Sequence, residues 1–291
     1  MAIVLGPNHY GKAEIHLVRV YRDTARHEIR DVLVSTSLRG DFDAAHVRGD
    51  QADVLPTDSQ KNAVFAYAKE HGVGEIEDFA LALGRYFTGI ESVTAARIEV
   101  DEGGWQRIGD HDHAFVRSGR ESRTTTVTVQ AGGAHVVSGV KELTVMKSSG
   151  SQFRGFRRDR YTTLEEADDR ILATALTARW RHLDGDTAPG LVDWSARHAA
   201  IRSMLLDAFA ATHSRALQHT LWSMGRAVLD AQPDLAEIRL TAPNLHHFVV
   251  DLEPFGLDNP GEVFHAADRP YGLIDATVQR DDAPPGPSWS A

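Results

Sequence analysis

Alternation dominates the first forty residues. From Ala13 to Tyr21, Ile15, Leu17, Arg19 and Tyr21 alternate with His16, Val18 and Val20, and a second β-rich run spans Glu28 to Leu38 after a polar connection. Period-two patterning of this kind predicts a hairpin. The period then lengthens to that of a helix, over Asp58 to His71 with Val64, Phe65, Tyr67 and Ala68, and over Glu75 to Phe87 with Phe79, Leu81 and Leu83. Gly72 separates the two helices. Strand-like runs return at Val93 to Val100, His113 to Val116 and Arg123 to Gln130, and Gly132-Gly133 ends the pattern.

The same order then recurs. Strands are predicted near Val136 to Lys147 and Ile171 to Arg181, followed by two long helices and by strands at Glu237 to Ala242 and His246 to Leu252. Ile201, Met204, Leu205, Ala208 and Phe209 fall at helical spacing, and Leu217, Leu221, Met224 and Val228 trace a stripe on the next helix. Each half therefore reads strand, strand, helix, helix, strand, strand, with one unit over 1–133 and a second over 134–291. The repeat rests on periodicity, because the halves share no close sequence identity. The pattern predicts an α+β fold with helices covering one face of a largely antiparallel sheet. The tail from Asp281, with three prolines, reads as a loose end laid on the surface.

Composition narrows the function. A chain of 291 residues, 42% of them hydrophobic, has enough apolar surface for about two cored domains. Its net charge of -10 disfavours non-specific binding to nucleic acid or acidic membranes, so an anionic ligand needs a locally positive pocket. Cys is absent, which removes thiolate nucleophiles, disulfides, iron-sulfur clusters and Cys-ligated zinc. No apolar run approaches the ~18 residues of a membrane span, and the first residues lack the basic flank of a signal peptide.

Several positions carry candidate chemistry beside an ordinary structural reading. Thr57 and Gln60 in Pro56-Thr57-Asp58-Ser59-Gln60-Lys61-Asn62 satisfy the capping-box spacing, so Thr57 reads either as a helix cap or as a hydroxyl facing a ligand. Lys12 follows Gly11 at the mouth of the first strand, where most lysines are simply solvated. His111 and His113 share a face if their segment is extended, yet two imidazoles lack the third ligand of a catalytic zinc site. Asn244 and His246 share a face of the predicted strand after Pro243, with His247 opposite. The stretch Ser151 to Leu164 concentrates Arg154, Arg157, Arg158 and Arg160 with Phe153, Phe156 and Tyr161 in an acidic chain. It offers either core rings with solvated arginines, or a stacking ring with positive charge for an anion. Arg170 follows Asp168-Asp169, which suggests a surface ion pair, and Gln218 flanks an apolar helical stripe.

Six stretches in order resemble the urate oxidase, or uricase, family: Pro56 to Asn62, His111-Asp112-His113-Ala114-Phe115, Leu143 to Ser148, Ser151 to Leu164, Asp169-Arg170-Ile171-Leu172, and Pro243-Asn244-Leu245-His246-His247-Phe248. The resemblance runs from Tyr10-Gly11-Lys12 almost to the C-terminus. It implies the tunnelling fold, two tandem ββααββ units per chain whose antiparallel sheets form barrels in a homotetramer. It also implies oxidation of urate by molecular oxygen and water to 5-hydroxyisourate and hydrogen peroxide, with no metal and no organic cofactor.

By that resemblance Lys12, Thr57 and His246 form a proton relay, and Asp58 presents its backbone amide to the purine. Phe153 stacks on the ring, Arg170 and Gln218 grip its edge, Leu164 and Leu217 line the pocket, and Thr57 and Asn244 serve the oxygen and water site. The residue types suit those roles. A guanidinium fork with a primary amide reads the edge of a flat anion, and a cofactor-free oxidase needs a base to make its substrate electron-rich. A lysine does so near neutral pH when burial or a neighbouring cation favours the neutral amine. The family builds its pocket across a subunit interface, with Lys12 and Thr57 facing Phe153, Arg170 and Gln218 of a neighbour, so an isolated chain is expected to be inactive.

Two other function classes are compatible with parts of the pattern. A tunnelling-fold pterin or purine hydrolase or lyase would use His111 and His113 as zinc ligands, and a urate-binding regulator would keep Phe153, Arg170 and Gln218 without catalysis. Retention of Lys12 with Thr57 argues against the regulator. The C-terminus lacks a Ser-Lys-Leu type signal, which points to a bacterial-type cytoplasmic location rather than a peroxisome.

Overall fold

A computed structural model describes residues 1–185 and 187–287 of the chain, apart from the side chain of Asp268. Ser288 to Ala291, the end read above for a targeting signal, lie outside the described residues. In chain order the elements are β1 (Tyr10–Tyr21), β2 (Glu28–Gly40), α1 (Asp43–Arg48), α2 (Thr57–Glu70), α3 (Ile76–Thr88), β3 (Val93–Arg107), β4 (Phe115–Gln130), β5 (Gly133–Lys147), β6 (Leu172–His182), α4 (Trp194–Ala211), α5 (Leu217–Ala231), β7 (Leu235–Val249), a single 3-10 turn at Glu253–Phe255, and β8 (Phe264–Gln279). Strand neighbours follow chain order from β1 to β8. The chain divides into two compact units, residues 1–139, 180–198 and 282–291 in the first, and 140–179 and 199–281 in the second.

In the first unit β1 to β4 pair antiparallel and α2 and α3 lie on one face. The alternation read from the sequence is the reason: Ile15 and Leu17 of β1, Val32, Val34 and Leu38 of β2, and Ala96, Ile98 and Val100 of β3 meet Val64, Phe79, Leu83 and Phe87 of the helices in one buried cluster. In the second unit α5 packs on β7 and β8, with Leu221, Met224 and Val228 buried along its stripe and Ile238, Leu240 and Val278 buried on the strands. The two helix-on-sheet contacts share one device. A Cβ on Gly84 of α3 would stand 2.6 Å from a Val129 methyl of β4, and one on Gly225 of α5 would stand 2.5 Å from a Val278 methyl of β8.

Several sequence expectations need correction. The two strands expected at Glu237 to Ala242 and His246 to Leu252 are one, β7, because Pro243 sits within the ladder opposite Leu273 instead of ending it. The final strand β8 went unread. Its described residues are mostly exposed, only Val278 is buried, and Pro270 and Gly272 interrupt its alternation. The His113 end of the expected His113 to Val116 strand belongs to the β3–β4 loop, since β4 begins at Phe115. The tail is also less loose than its prolines suggest: buried Arg181 donates to the Pro284 carbonyl at 2.8 Å.

Buried charge in the first unit forms a closed network. Glu77, fully buried on α3, accepts from Arg123 of β4 at 2.6 Å and from the Ser138 hydroxyl at 2.8 Å. Arg123 also reaches Glu75 at 2.7 Å and the Ser195 hydroxyl at 2.9 Å. Ser138 lies 3.1 Å from His182 Nε2, while Arg197 lies 3.2 Å from His182 Nδ1. An arginine only donates, so Nδ1 is the acceptor and Nε2 carries the proton. Burial raises the Glu77 carboxyl above its ordinary value despite Arg123, and burial followed by the Arg197 charge lowers His182 from 6.5 to about 3.

A prediction follows from His182. Between pH 6.5 and about 3 the unfolded chain binds a proton at His182 that the folded chain refuses, so acidification through that window removes stability, by up to about 1.4 kcal/mol per pH unit. Glu77, with its raised pKa, acts in the opposite sense, stabilising at low pH and losing that contribution as pH rises. Urea titrations at pH 7 and pH 5 should therefore show a stability loss about 2 kcal/mol larger in the wild type than in His182→Gln. Equal losses in the two proteins would contradict the assignment of a neutral buried imidazole.

Candidate functional site

Lys12 stands where β1 breaks register. The β1–β2 ladder runs through Lys12↔Thr36 and resumes at Ile15↔Val34, with Glu14 in the left-handed region at φ 55°. Such a bulge turns a side chain out of strict alternation. Gly11 is obligatory just before it, because a Cβ there would lie 1.8 Å from the Thr36 carbonyl oxygen. The Lys12 amide donates to Thr36 Oγ1 at 3.1 Å, and that hydroxyl donates to Gln60 Oε1 at 2.7 Å. Gln60 and Tyr10 each donate to the Leu55 carbonyl, so the start of α2 is tied to the start of β1 through part-buried hydrogen bonds.

The structure does not bear out the capping reading of Thr57. The N-cap of α2 is Pro56, no side chain caps the helix, and Thr57 is the first helical residue. Gln60, the expected capping partner, is instead fully buried against Thr36. Among the described residues the half-buried Thr57 hydroxyl makes no hydrogen bond. The amides of Thr57, Asp58 and Ser59 have no intrahelical acceptor, the first helical bond running from Gln60 N–H to the Pro56 carbonyl. The Asp58 carboxylate turns back along the helix to Lys61 at 2.5 Å and Asn62 at 3.0 Å. Those bonds, with the Lys61 charge and a contribution from Lys12, hold it below the usual carboxylate range.

In the second unit Phe153 and Arg170 meet. Phe153 and Ala167 exchange backbone hydrogen bonds of 2.8 and 3.0 Å, and the Arg170 amide donates to the Ser151 carbonyl at 2.7 Å, which zips 151–153 against 167–170. The Arg170 guanidinium carbon lies 5.0 Å from the Phe153 ring centroid, and Phe156 stacks on Phe153 at 4.9 Å. The expected surface ion pair is absent among the described residues: Asp168 binds Arg154, and Asp169 binds Ser149 Oγ at 2.6 Å and the Ser151 amide. Arg170 Nε is buried without a hydrogen-bond partner, and burial lowers the guanidinium from its ordinary value. Leu164 is exposed.

The same unit carries the remaining predicted residues. Ser151 bridges Ser214, the Ser214 hydroxyl donates to the Ala216 carbonyl, and Thr220 Oγ1 donates to Ser214 Oγ, which anchors the first turn of α5. On that turn Leu217 is buried and Gln218 exposed. Asn244 and His246 flank a register shift between β7 and β8, where Asn244↔Gly272 gives way to His246↔Ala267. His246 stacks with Phe248 at 5.8 Å, while His247 Nδ1 turns back to the Leu245 carbonyl at 3.0 Å.

His111 and His113 lie in an exposed loop, His113 tilted against His27 at a 6.0 Å ring separation. Among the described residues no three His, Asp or Glu side chains group as metal ligands. No helix of these residues is long and apolar enough to cross a membrane. Sequence reasoning missed Thr36 as a support of Lys12 and misassigned Gln60. Its spacing suggested a cap, and nothing local indicated that Thr36 stands opposite.

The sequence model of the uricase family matches residues 8–128 and 136–275. Among curated relatives, uricase of Arthrobacter globiformis is 53% identical over 99% of this chain and 94% of that protein, and uricase of Danio rerio 34% identical over 93% of each. The crystal structure of uricase from Arthrobacter globiformis superposes with a TM-score of 0.92 at 52% identity, over 99% of both chains. Urate oxidase of Bacillus sp. TB-90 superposes with a TM-score of 0.81 over 94% of this chain and all of that one, and at 23% identity speaks for the fold alone.

The uncapped Thr57 leads to a stability prediction. Thr57→Ala should change unfolding free energy by less than about 0.5 kcal/mol, where loss of a working cap costs ~0.5 to 2 kcal/mol. Thr36→Val, which strips the Lys12 amide and Gln60 of a buried partner, should cost about 1 to 3 kcal/mol. Denaturant titration of both variants checks the order, and a larger loss in Thr57→Ala would restore the capping reading.

Proposed function

Since the chain belongs to the uricase family and is a urate oxidase of the tunnelling fold, we propose that its two compact units supply different halves of the reaction. Urate, molecular oxygen and water are the reactants, and the products are 5-hydroxyisourate and hydrogen peroxide. The residues proposed for proton transfer, Lys12 and Thr57, belong to the first unit with Asp58, and those proposed to hold the purine, Phe153, Leu164, Arg170, Leu217 and Gln218, belong to the second with Asn244 and His246.

The observation that carries the reading is Arg170. A half-buried guanidinium with an unsatisfied Nε, laid against a phenylalanine ring and with no carboxylate partner among the described residues, is costly to keep unless an anion completes it. A flat urate anion fits, taking the guanidinium and the Gln218 amide on its edge and Phe153 on its face. Purine stacking there exchanges one ring contact for another, since Phe156 already stacks on Phe153.

At the other half, the unbonded Thr57 hydroxyl can pass a proton between urate and Lys12, and the free Asp58 amide can donate to the purine. Deprotonation makes the ring electron-rich enough to reduce oxygen. His246 would relay protons to water held near Asn244 and Thr57. No organic cofactor and no metal enters this scheme, so the zinc-dependent alternative is not favoured. We place the assembled enzyme, a homotetramer with sites at subunit interfaces, in the cytoplasm.

The test follows urate absorbance, oxygen uptake and peroxide together in chelator-treated protein. A charged hydrogen bond contributes ~1.5 to 3 kcal/mol, so Arg170→Ala should weaken binding of urate or a purine inhibitor roughly 10-fold or more. Unchanged affinity would remove Arg170 from the site. Lys12→Met should lower kcat by about 10²- to 10⁴-fold while inhibitor binding persists. Near wild-type turnover would exclude Lys12 as the base.

A further inference from the structure

Phe153 and Arg170 lie outside the long strands, Phe153 paired with Ala167 by an isolated bridge and Arg170 tied to Ser151 by its amide, so a regular ladder does not hold them in place. What closes this small two-stranded zip is a carboxylate. Asp169 Oδ2 accepts from the Ser149 hydroxyl at 2.6 Å, and its Oδ1 accepts from the backbone amides of Ser151 and Arg170, each at 3.1 Å. The Arg170 amide is thereby held twice, by Asp169 Oδ1 and by the Ser151 carbonyl at 2.7 Å. Ser151 in turn pairs with Ser214, the residue that anchors the first turn of α5 under Leu217 and Gln218. One carboxylate therefore sits at the junction of the segments carrying the ring, the guanidinium and the amide. The Ser149 hydroxyl, then the Ser151 amide, hold its carboxyl below the usual range, which keeps it an acceptor at neutral pH.

We infer that Asp169 is a positioning residue for urate oxidation: by bridging Ser149, Ser151 and the Arg170 backbone it sets the Arg170 guanidinium over Phe153 in the register that grips the purine. The inference rests on the assignment of Phe153 and Arg170 to the substrate. Its neighbour Asp168 offers an internal contrast, because that carboxylate points to exposed Arg154 and touches neither Ser151 nor Arg170. A carboxylate that merely stabilised a surface turn would affect the folded fraction and not the affinity of the molecules that fold.

The test compares Asp169→Ala, Asp169→Asn, Asp168→Ala and Arg170→Gln in the assembled enzyme, reading KM for urate, Kd for a non-reacting purine analogue, kcat and the thermal midpoint. Asp169→Ala should raise KM and Kd about 10-fold with kcat falling less than about 3-fold. Asp169→Asn, which keeps an acceptor for the two amides, should recover to within about 3-fold of wild type, and Asp168→Ala should match wild type. Combined with Arg170→Gln, Asp169→Ala should weaken binding by less than about 2-fold further, since both act through one guanidinium.

KM and Kd unchanged in Asp169→Ala while Arg170→Gln weakens binding would sink the positioning role alone. So would a full 10-fold additional loss in the double variant, or a lowered midpoint with affinity intact. Unchanged affinity in Arg170→Gln itself would instead remove the site assignment beneath it. If Asp169→Ala does not fold, Ser149→Ala decides, with KM expected to rise about 3-fold and an unchanged KM counting against the inference.

Discussion

A β-ladder delivers side chains alternately to two faces, and in this chain one of those faces is taken up by packing under helices. The residues proposed to meet a ligand lie where the ladder is interrupted. Lys12 stands at the edge of the β1 bulge, Asn244 and His246 straddle the register shift between β7 and β8, and outside the long strands Phe153 sits on an isolated bridge and Arg170 is tied to Ser151 by its amide. Interruptions of this kind bend strands and re-aim side chains at functional sites. Each comes with its own support: Gly11 under the Thr36 carbonyl, Gln60 buried against Thr36, and Asp169 beneath Arg170.

Charge is distributed with comparable economy. The chain is acidic overall, yet two of its partly buried arginines are held in different ways. Arg123, held by Glu75, Glu77 and Ser195, is an ion-paired structural cation whose removal would strand a buried carboxylate. Arg170 has a stacked ring and, among the described residues, no carboxylate partner. The first arrangement closes on itself inside one unit. The second, on the proposed reading, is completed by an anion.

Helix termini add a further asymmetry. The N-terminus of α2 lacks a side-chain cap, so its amides and the Thr57 hydroxyl remain available beside Lys12, whose charge reaches Asp58. On the proposed reading, the first turn of that helix gives up a side-chain cap so that Thr57 can face a substrate. The buried Thr36–Gln60 bond explains how the turn keeps its shape without the cap.

Periodicity in the sequence determined most of the architecture: the opening hairpin, the four long helices and the strand pairs of the first half are legible because one apolar face repeats every 2 or 3.6 residues. Six local stretches likewise determined the family, since their residue types survive without knowledge of where they fold. Strand β8 and the continuity of β7 were not legible, because an exposed strand loses the apolar alternation and Pro243 imitates a break. Neither was the fate of Thr57, Gln60 and Arg170. A capping box and an Asp-Asp-Arg run satisfy local rules, and only the tertiary structure decided that Gln60 turns inward to Thr36 while Asp168 and Asp169 bind other partners. The physical reason is that hydrogen bonds and ion pairs select among partners brought together by folding, across sequence distances that local pattern does not sense.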